Sequence, residues 1–298
     1  MIFPTSSMKG CVAAIGTFDG VHRGHRSVLE AIVSMAKEND LEPVAITFDR
    51  HPLSLIAPDR CPSALTPLNK KKKLISEAGA HPVVLSFDDP LRNTTAAQWM
   101  KRLAEDFNVK TLIIGYDNTF GCDGVNLSLE DYRRIGKENG IEVLTAPEIK
   151  GVSSSAIRKS VKAGELEKAH EMLGRPYSIT SKVEKGNSLG HTIGFPTANI
   201  EIPEGIAIPK PGVYIAIVKI LSDGSKHKAM VNIGSRPTVM RGDHTVIEAH
   251  ILDWDGNLYG QEITVRFLKR IRDEKKFESI DALKHQLAQD RDTVKNYF

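Results

Sequence analysis

The chain has 298 residues, a formal net charge of +3, 41% hydrophobic residues and 26% charged residues. That length suits two domains rather than one core, and the ordinary composition excludes disordered and fibrous classes. So small a positive balance offers little hold on nucleic acid, and no apolar run of about 18 residues suggests a membrane helix.

Residues 12–15 form an apolar run and read as a buried strand. The chain then enters Gly16-Thr17-Phe18-Asp19-Gly20-Val21-His22-Arg23-Gly24-His25, followed by an amphipathic stretch over 27–37. Strand, glycine turn and helix start, in that order, aim backbone N–H groups and the positive helix end at an anion. The imidazoles of His22 and His25 fall where that anion would lie and can donate to phosphate oxygens. Gly24 is expected to let a nucleotide approach the backbone. The plainer reading of two histidines is structural, but the strand–turn–helix context favours a nucleotide site.

Further apolar runs at 44–48, 83–87, 111–115 and 142–144 read as parallel strands separated by helices. Thr66-Pro67 reads as a helix cap and first helical residue. The basic run Lys70–Lys73 alternates with Leu68, Leu74 and Ile75 as a solvated helix face would. Thr95 with Gln98 and Ser128 with Asp131 read as capping boxes. Alternating strands and helices imply an α/β domain, a parallel sheet with helices on both faces and ligands at the strand C-termini. No Gly-x-Gly-x-x-Gly or Walker-type loop is present. Ser153-Ser154-Ser155 with Arg158 one turn on reads either as a phosphate grip or as a capped surface helix.

After Gly174-Arg175-Pro176 the pattern changes. Strand-like runs at 178–183, 213–221, 228–233, 244–252 and 263–269 follow one another across Gly- and Asp-rich turns. This half reads as a small antiparallel β-barrel ending in a helix over 279–290, with Ile280, Leu283 and Leu287 on one face. The expected domains are therefore 1–172 and 173–298. Between two barrel strands lies Gly190-His191-Thr192-Ile193-Gly194-Phe195-Pro196-Thr197-Ala198-Asn199. Thr197 and Asn199 flank Ala198, so they share one side of a strand. Two neutral oxygens at that spacing suit a magnesium ion held mainly by phosphates, or simply a polar turn. By spacing alone, Glu248 between Ile247 and Ala249 is an exposed strand residue. The three cysteines, Cys11, Cys61 and Cys122, form no Cys-x-x-Cys pair. With no signal-like leader, the expectation is a reduced cytoplasmic protein.

Residues 16–25 resemble the signature of the His-x-Gly-His nucleotidyltransferases, and Phe18-Asp19-Gly20-Val21-His22 resembles its flavin-adenylating branch. Pro196-Thr197-Ala198-Asn199 resembles the riboflavin kinase motif. Gly212-Val213-Tyr214, Asn232-Ile233-Gly234, Arg236-Pro237-Thr238, Leu258-Tyr259-Gly260 and Lys276-Phe277 fit that family in order and spacing. The whole chain is thus similar to the bacterial bifunctional riboflavin kinase/FMN adenylyltransferases. The resemblance implies a Rossmann-like nucleotidyltransferase domain followed by a riboflavin kinase barrel. It implies phosphorylation of riboflavin to FMN and adenylylation of FMN to FAD, with ATP as co-substrate and Mg2+ as metal.

The resemblance also implies residue roles. His22 and His25 contact ATP phosphates, and Arg158 in Ser153-Ser154-Ser155-Ala156-Ile157-Arg158 binds the leaving pyrophosphate. Gly16, Phe18, Asp19, Gly20, Gly24 and Asp117 belong to the first site. Gly190, Gly194, Pro196 and Asn232 belong to the second, where Thr197 and Asn199 serve the metal and Glu248 is the catalytic base. Asn118 and Thr119 stand where an aromatic residue and an arginine are usual. FMN is therefore expected to be held loosely in the first domain and to accumulate before FAD. The expected partners are small molecules, with neither nucleic acid nor membrane. The rivals are a monofunctional riboflavin kinase with a weakened adenylyl site and a non-catalytic flavin-binding regulator. Intact His22, His25, Thr197, Asn199 and Glu248 argue against the non-catalytic regulator, and an assay of each half-reaction decides the monofunctional rival.

Overall fold

Alternating apolar strands and amphipathic helices in the first half fold as a layered α/β unit in the computed structural model. The structure describes residues 9–115, 119–185, 189–238 and 242–298, without the side chains of 189, 191, 235–238 and 242–244. The chain divides into two compact units, Met1–Ser154 and Ser155–Phe298.

The first unit runs β1 (Cys11–Ile15), α1 (Arg23–Glu38), β2 (Glu42–Phe48), α2 (Leu53–Ile56), α3 (Leu68–Glu77) and β3 (His81–Leu85). It continues with α4 (Asp89–Arg92), α5 (Ala96–Phe107), β4 (Val109–Ile114), α6 (Leu129–Glu138) and β5 (Glu142–Thr145). All strand pairs are parallel, in the order β3-β2-β1-β4-β5. Every residue of β1 is buried, because helices cover both faces. The two-residue period of the strand splits β1 between two cores. Cys11, Ala13 and Ile15 pack with Trp99, Met100 and Leu103 of α5, while Val12 and Ala14 pack with Leu29 and Ile32 of α1 and Ile75 of α3. The strand order reverses at β1, which pairs with β2 on one side and β4 on the other. The Gly16–His25 turn therefore opens at the switch point, where such sheets bind ligands.

Both expected capping boxes form, Thr95 with Gln98 and Ser128 with Asp131. Thr66 does not cap α3, contrary to expectation. Pro67 takes the N-cap position, and the Thr66 amide donates to the Asp19 carboxylate instead.

From Ser155 on, the second unit holds the rest of α7 (Ser154–Ala163), then α8 (Leu166–Leu173), β6 (Tyr177–Glu184), α9 (Leu189–Thr192), β7 (Ala198–Ile200) and β8 (Gly212–Ile220). It ends with β9 (Lys226–Thr238), β10 (Gly242–Ile251), β11 (Glu262–Arg272) and α10 (Ile280–Tyr297). Gly174 in the left-handed region closes α8, which packs on β6 and β11. The six strands close into an antiparallel barrel, β10-β7-β6-β11-β8-β9, which leaves no open sheet edge. The last helix runs seven residues past its expected end at 290, to Tyr297. Asp290 is no terminus. It is 2% exposed, and its carboxylate takes a two-pronged bond from Arg272 of β11 at 2.7–3.1 Å. Val294, fully buried one turn further on, keeps the helix on the barrel.

Candidate active sites

The turn after β1 takes three bends within four residues that ordinary side chains avoid. Phe18 has φ +47°, Gly20 +86° and Val21 +39°. A β-branched residue such as Val21 in that region costs about 1–3 kcal/mol, so the surroundings must over-determine the turn. They do so from several sides. The Asp19 carboxylate accepts from the Leu65 and Thr66 amides at 2.9–3.1 Å, and the Ser154 hydroxyl donates to the Asp19 carbonyl at 2.8 Å. The Thr47 hydroxyl and the Lys71 ammonium both donate to the Thr17 carbonyl, at 3.1 and 3.0 Å. Lys71 corrects the sequence reading of 70–73 as a wholly solvated face. It is 8% exposed, and its ammonium also holds the Phe48 carbonyl at 3.0 Å. Burial lowers its pKa, against the pull of the Asp19 and Asp49 carboxylates.

His22 is the N-cap of α1. Its Nδ1 accepts from the His25 amide at 3.2 Å, which places the proton of the neutral ring on Nε2. The two imidazoles stack with centroids 3.6 Å apart, and Phe18 meets His25 edge-on at 5.2 Å. Gly24 also serves its own turn. A Cβ there would sit 3.2 Å from the His22 ring, so the glycine makes room for that imidazole. Gly16 is half-buried, and its amide is spent on Ile46. Ser153 and Ser154 sit in the first unit, with Ser154 opening α7. Exposed Ser155 and half-buried Arg158 lie on α7 in the second unit. Asp117 and Asn118 lie outside the described residues. The loop just beyond them is held firmly: the Tyr132 hydroxyl donates to the Phe120 carbonyl at 2.7 Å and accepts from its amide at 3.0 Å.

In the second unit, register brings three polar residues abreast. Glu248 of β10 pairs with Asn199 of β7 on one side and Asn232 of β9 on the other. Their neighbours Ile233, Ile247 and Ala249 fill the barrel, so the alternation turns Glu248 and both asparagines away from it. Glu248, Asn232, Thr197 and Gly190 line one cavity of about 420 Å³, together with the apolar Phe277, Leu283 and Leu287. Thr197 also lines a second cavity of about 230 Å³, with Trp254, Asn257 and Tyr259. One threonine thus lines both pockets.

The backbone around Thr197 is tightly specified. Gly190 packs so closely on the Phe195 carbonyl that an added Cβ would lie 2.4 Å from it and 3.3 Å from Thr197 Oγ1. His250 donates from Nδ1 to the Pro196 carbonyl at 2.8 Å and meets Phe195 edge-on. Burial lowers the His250 pKa, which favours the neutral ring. Pro196 and Gly194 are exposed. Sequence reasoning did not single out His250, nor the Arg272–Asp290 pair, whose arginine also lines the larger cavity. Those partners are far apart in the chain and carry no spacing signal.

The FAD synthetase family model matches residues 5–160, and the riboflavin kinase family model matches residues 173–298. The chain is 37% identical to the bifunctional riboflavin kinase/FMN adenylyltransferase of Escherichia coli (strain K12), over 97% of this chain and 93% of that protein. It is 34% identical to the enzyme of that description in Haemophilus influenzae, over 98% and 95%, and 33% identical to that in Bacillus subtilis, over 96% and 92%. A solved structure described as a macrolide-efflux protein from Streptococcus pneumoniae superposes with a TM-score of 0.87 at 28% identity, covering 98% of this chain and 96% of that one. Among the described residues, no helix of this chain is long and apolar enough to cross a membrane. The sequence match to these relatives runs through both units, the parallel sheet with its motif at the switch point and the barrel with its motif abreast of a glutamate. The chain therefore belongs to the bifunctional riboflavin kinase/FMN adenylyltransferases, making FMN from riboflavin and FAD from FMN with ATP.

Proposed function

We propose that the two reactions run at two separate sites, the kinase at Glu248 and the adenylyl transfer at the His22–His25 turn. The observation that carries the reading is the row Asn199–Glu248–Asn232 beside Thr197, the residue shared by two cavities. A phosphoryl transfer needs two substrates meeting at one point. The larger cavity, with its apolar wall of Phe277, Leu283 and Leu287, suits the flavin ring system. The smaller one, with Trp254 and Tyr259, suits the adenine of ATP.

Glu248 takes the proton of the riboflavin 5′-hydroxyl as that oxygen attacks the γ-phosphorus and ADP departs. Asn232 and Asn199 hold the carboxylate and the phosphoryl oxygens in register. Thr197 and Asn199 are half-buried neutral oxygen donors. No cluster of three acidic, histidine or cysteine side chains stands ready for a metal among the described residues. That donor set fits magnesium carried in by the phosphates, held by Thr197 and Asn199 and offsetting the charge that develops on the phosphoryl oxygens.

At the first site, a phosphate oxygen of FMN attacks the α-phosphorus of ATP and pyrophosphate leaves. The nucleophile is already an anion, so no base is required. His22 Nε2–H, His25 and the amides at the start of α1 stabilise the crowded anions. Gly16, Phe18 and Gly20 shape the turn, and Asp19 holds it through the Leu65 and Thr66 amides. We place the catalytic domains at 1–172 and 173–298, and the protein in the cytoplasm. The test is a crossed pair of variants. His22→Ala with His25→Ala should abolish FAD formation from FMN and spare FMN formation from riboflavin. Glu248→Gln should cut riboflavin phosphorylation about 10²–10⁴-fold, roughly 3–5 kcal/mol of barrier, and spare adenylylation. Loss of both activities in either folded variant overturns the assignment.

A further inference from the structure

The first unit buries a lysine where a neutral donor would complete the hydrogen bonding. Lys71 lies on α3, and its ammonium reaches the Thr17 and Phe48 carbonyls at the C-terminal ends of β1 and β2. The Thr17 carbonyl already has a neutral donor in the Thr47 hydroxyl. A buried cation costs desolvation that a hydroxyl or amide would avoid, so the charge itself needs a reason. The reason lies beside it. Asp19, 7% exposed, keeps its carboxylate inside the very turn that is to attract polyphosphate. Its bonds to two amides shape the turn, yet its charge opposes any anion bound in front. The charged groups acting on Lys71 are the carboxylates of Asp19 and Asp49, and Asp49 is itself turned toward the Phe87 amide.

We propose that Lys71 is a positioning residue of the adenylyl site: it braces the turn from behind and cancels the buried Asp19 charge, so that the triphosphate of ATP can bind. The proposal rests on the reading of the His22–His25 turn as the ATP site. It assigns Lys71 no contact with substrate.

The experiment uses the full chain, with riboflavin phosphorylation as the internal control in the other unit. Lys71→Met should raise the KM for ATP in FAD formation and lower its rate by about 10–100-fold, the scale seen when groups supporting a charged site are removed. Riboflavin phosphorylation should stay native. Asp19→Asn keeps an oxygen for the Leu65 and Thr66 amides but removes the charge. Added to Lys71→Met, it should restore most of the ATP affinity, which a purely packing role for Lys71 does not allow. Asp19→Asn alone leaves Lys71 uncancelled and should tighten product inhibition by pyrophosphate, a readout that holds even where Lys71→Met fails to fold. A native KM in folded Lys71→Met, a double variant no better than Lys71→Met, or unchanged pyrophosphate inhibition in Asp19→Asn overturns the proposal. If His22→Ala with His25→Ala keeps the native KM for ATP, it is the reading of the turn that fails. If that variant stops forming FAD while Lys71→Met keeps the native KM for ATP, the role of Lys71 alone fails.

Discussion

Gly190 offers the sharpest test of how the kinase loop is built. In Gly190→Ala the new methyl would lie 2.4 Å from the Phe195 carbonyl oxygen and 3.3 Å from Thr197 Oγ1, where ordinary contact begins near 3.4 Å. The Phe195 amide is also bonded to the Gly190 carbonyl at 2.8 Å, so the two strands of the loop cannot simply part. Relief requires a displacement of about 1 Å, and Thr197 is two residues from the point of collision. A misplacement of about 1 Å in a group that positions reactants costs about 100-fold in rate. The expected result is a drop of that size in kcat for FMN formation from riboflavin, with FAD formation from supplied FMN unchanged. The assay is separation of riboflavin, FMN and FAD over time, alongside circular dichroism to check the fold. A kinase rate within threefold of native would show that the close packing of Gly190 does not set the position of Thr197.

Asp290→Ala should destabilise the second unit by about 3–5 kcal/mol, because it leaves Arg272, whose side chain is 20% exposed, without its charge partner. With Trp99 replaced by Phe, Trp254 reports that unit in guanidinium unfolding, and a loss below about 1 kcal/mol would refute a strong buried pair. In native protein, a thiol reagent at pH 8 should label exposed Cys122 first, then half-buried Cys61. Cys11 should label only on unfolding, since burial pushes its thiol pKa up to about 12. Early labelling of Cys11 would contradict the packing of β1. Residues 155–298 expressed alone should fold and phosphorylate riboflavin, since that unit contains the whole barrel, both cavities and α10. A soluble fragment that binds no flavin would show that the unit depends on the first.

Much of this protein was legible in order and type. The apolar run of β1, the capping boxes of α5 and α6, and the change from alternating to all-β patterning are local. Each depends on residues within a turn or two, so the chain states them directly. Both motifs were readable for the same reason, since a glycine turn before a helix and two oxygens flanking Ala198 are contiguous. What the sequence by itself determined was therefore the two-domain order, the reaction class and the names of the residues beside each turn.

The tertiary structure decided which charges are spent and which remain. Lys71 looks like its neighbours in the run 70–73, yet it alone is buried, because α3 docks over the ends of β1 and β2. Thr66 looks like a cap but serves Asp19, 47 residues away. Asp290 looked like the end of a helix and proved to be its anchor. Glu248 reads as an ordinary exposed strand residue until barrel closure sets it between Asn199 and Asn232. The physical reason is common to all four. A side chain's role is set by its partner and its exposure to water, and the partners here meet only when strands take their register and helices dock.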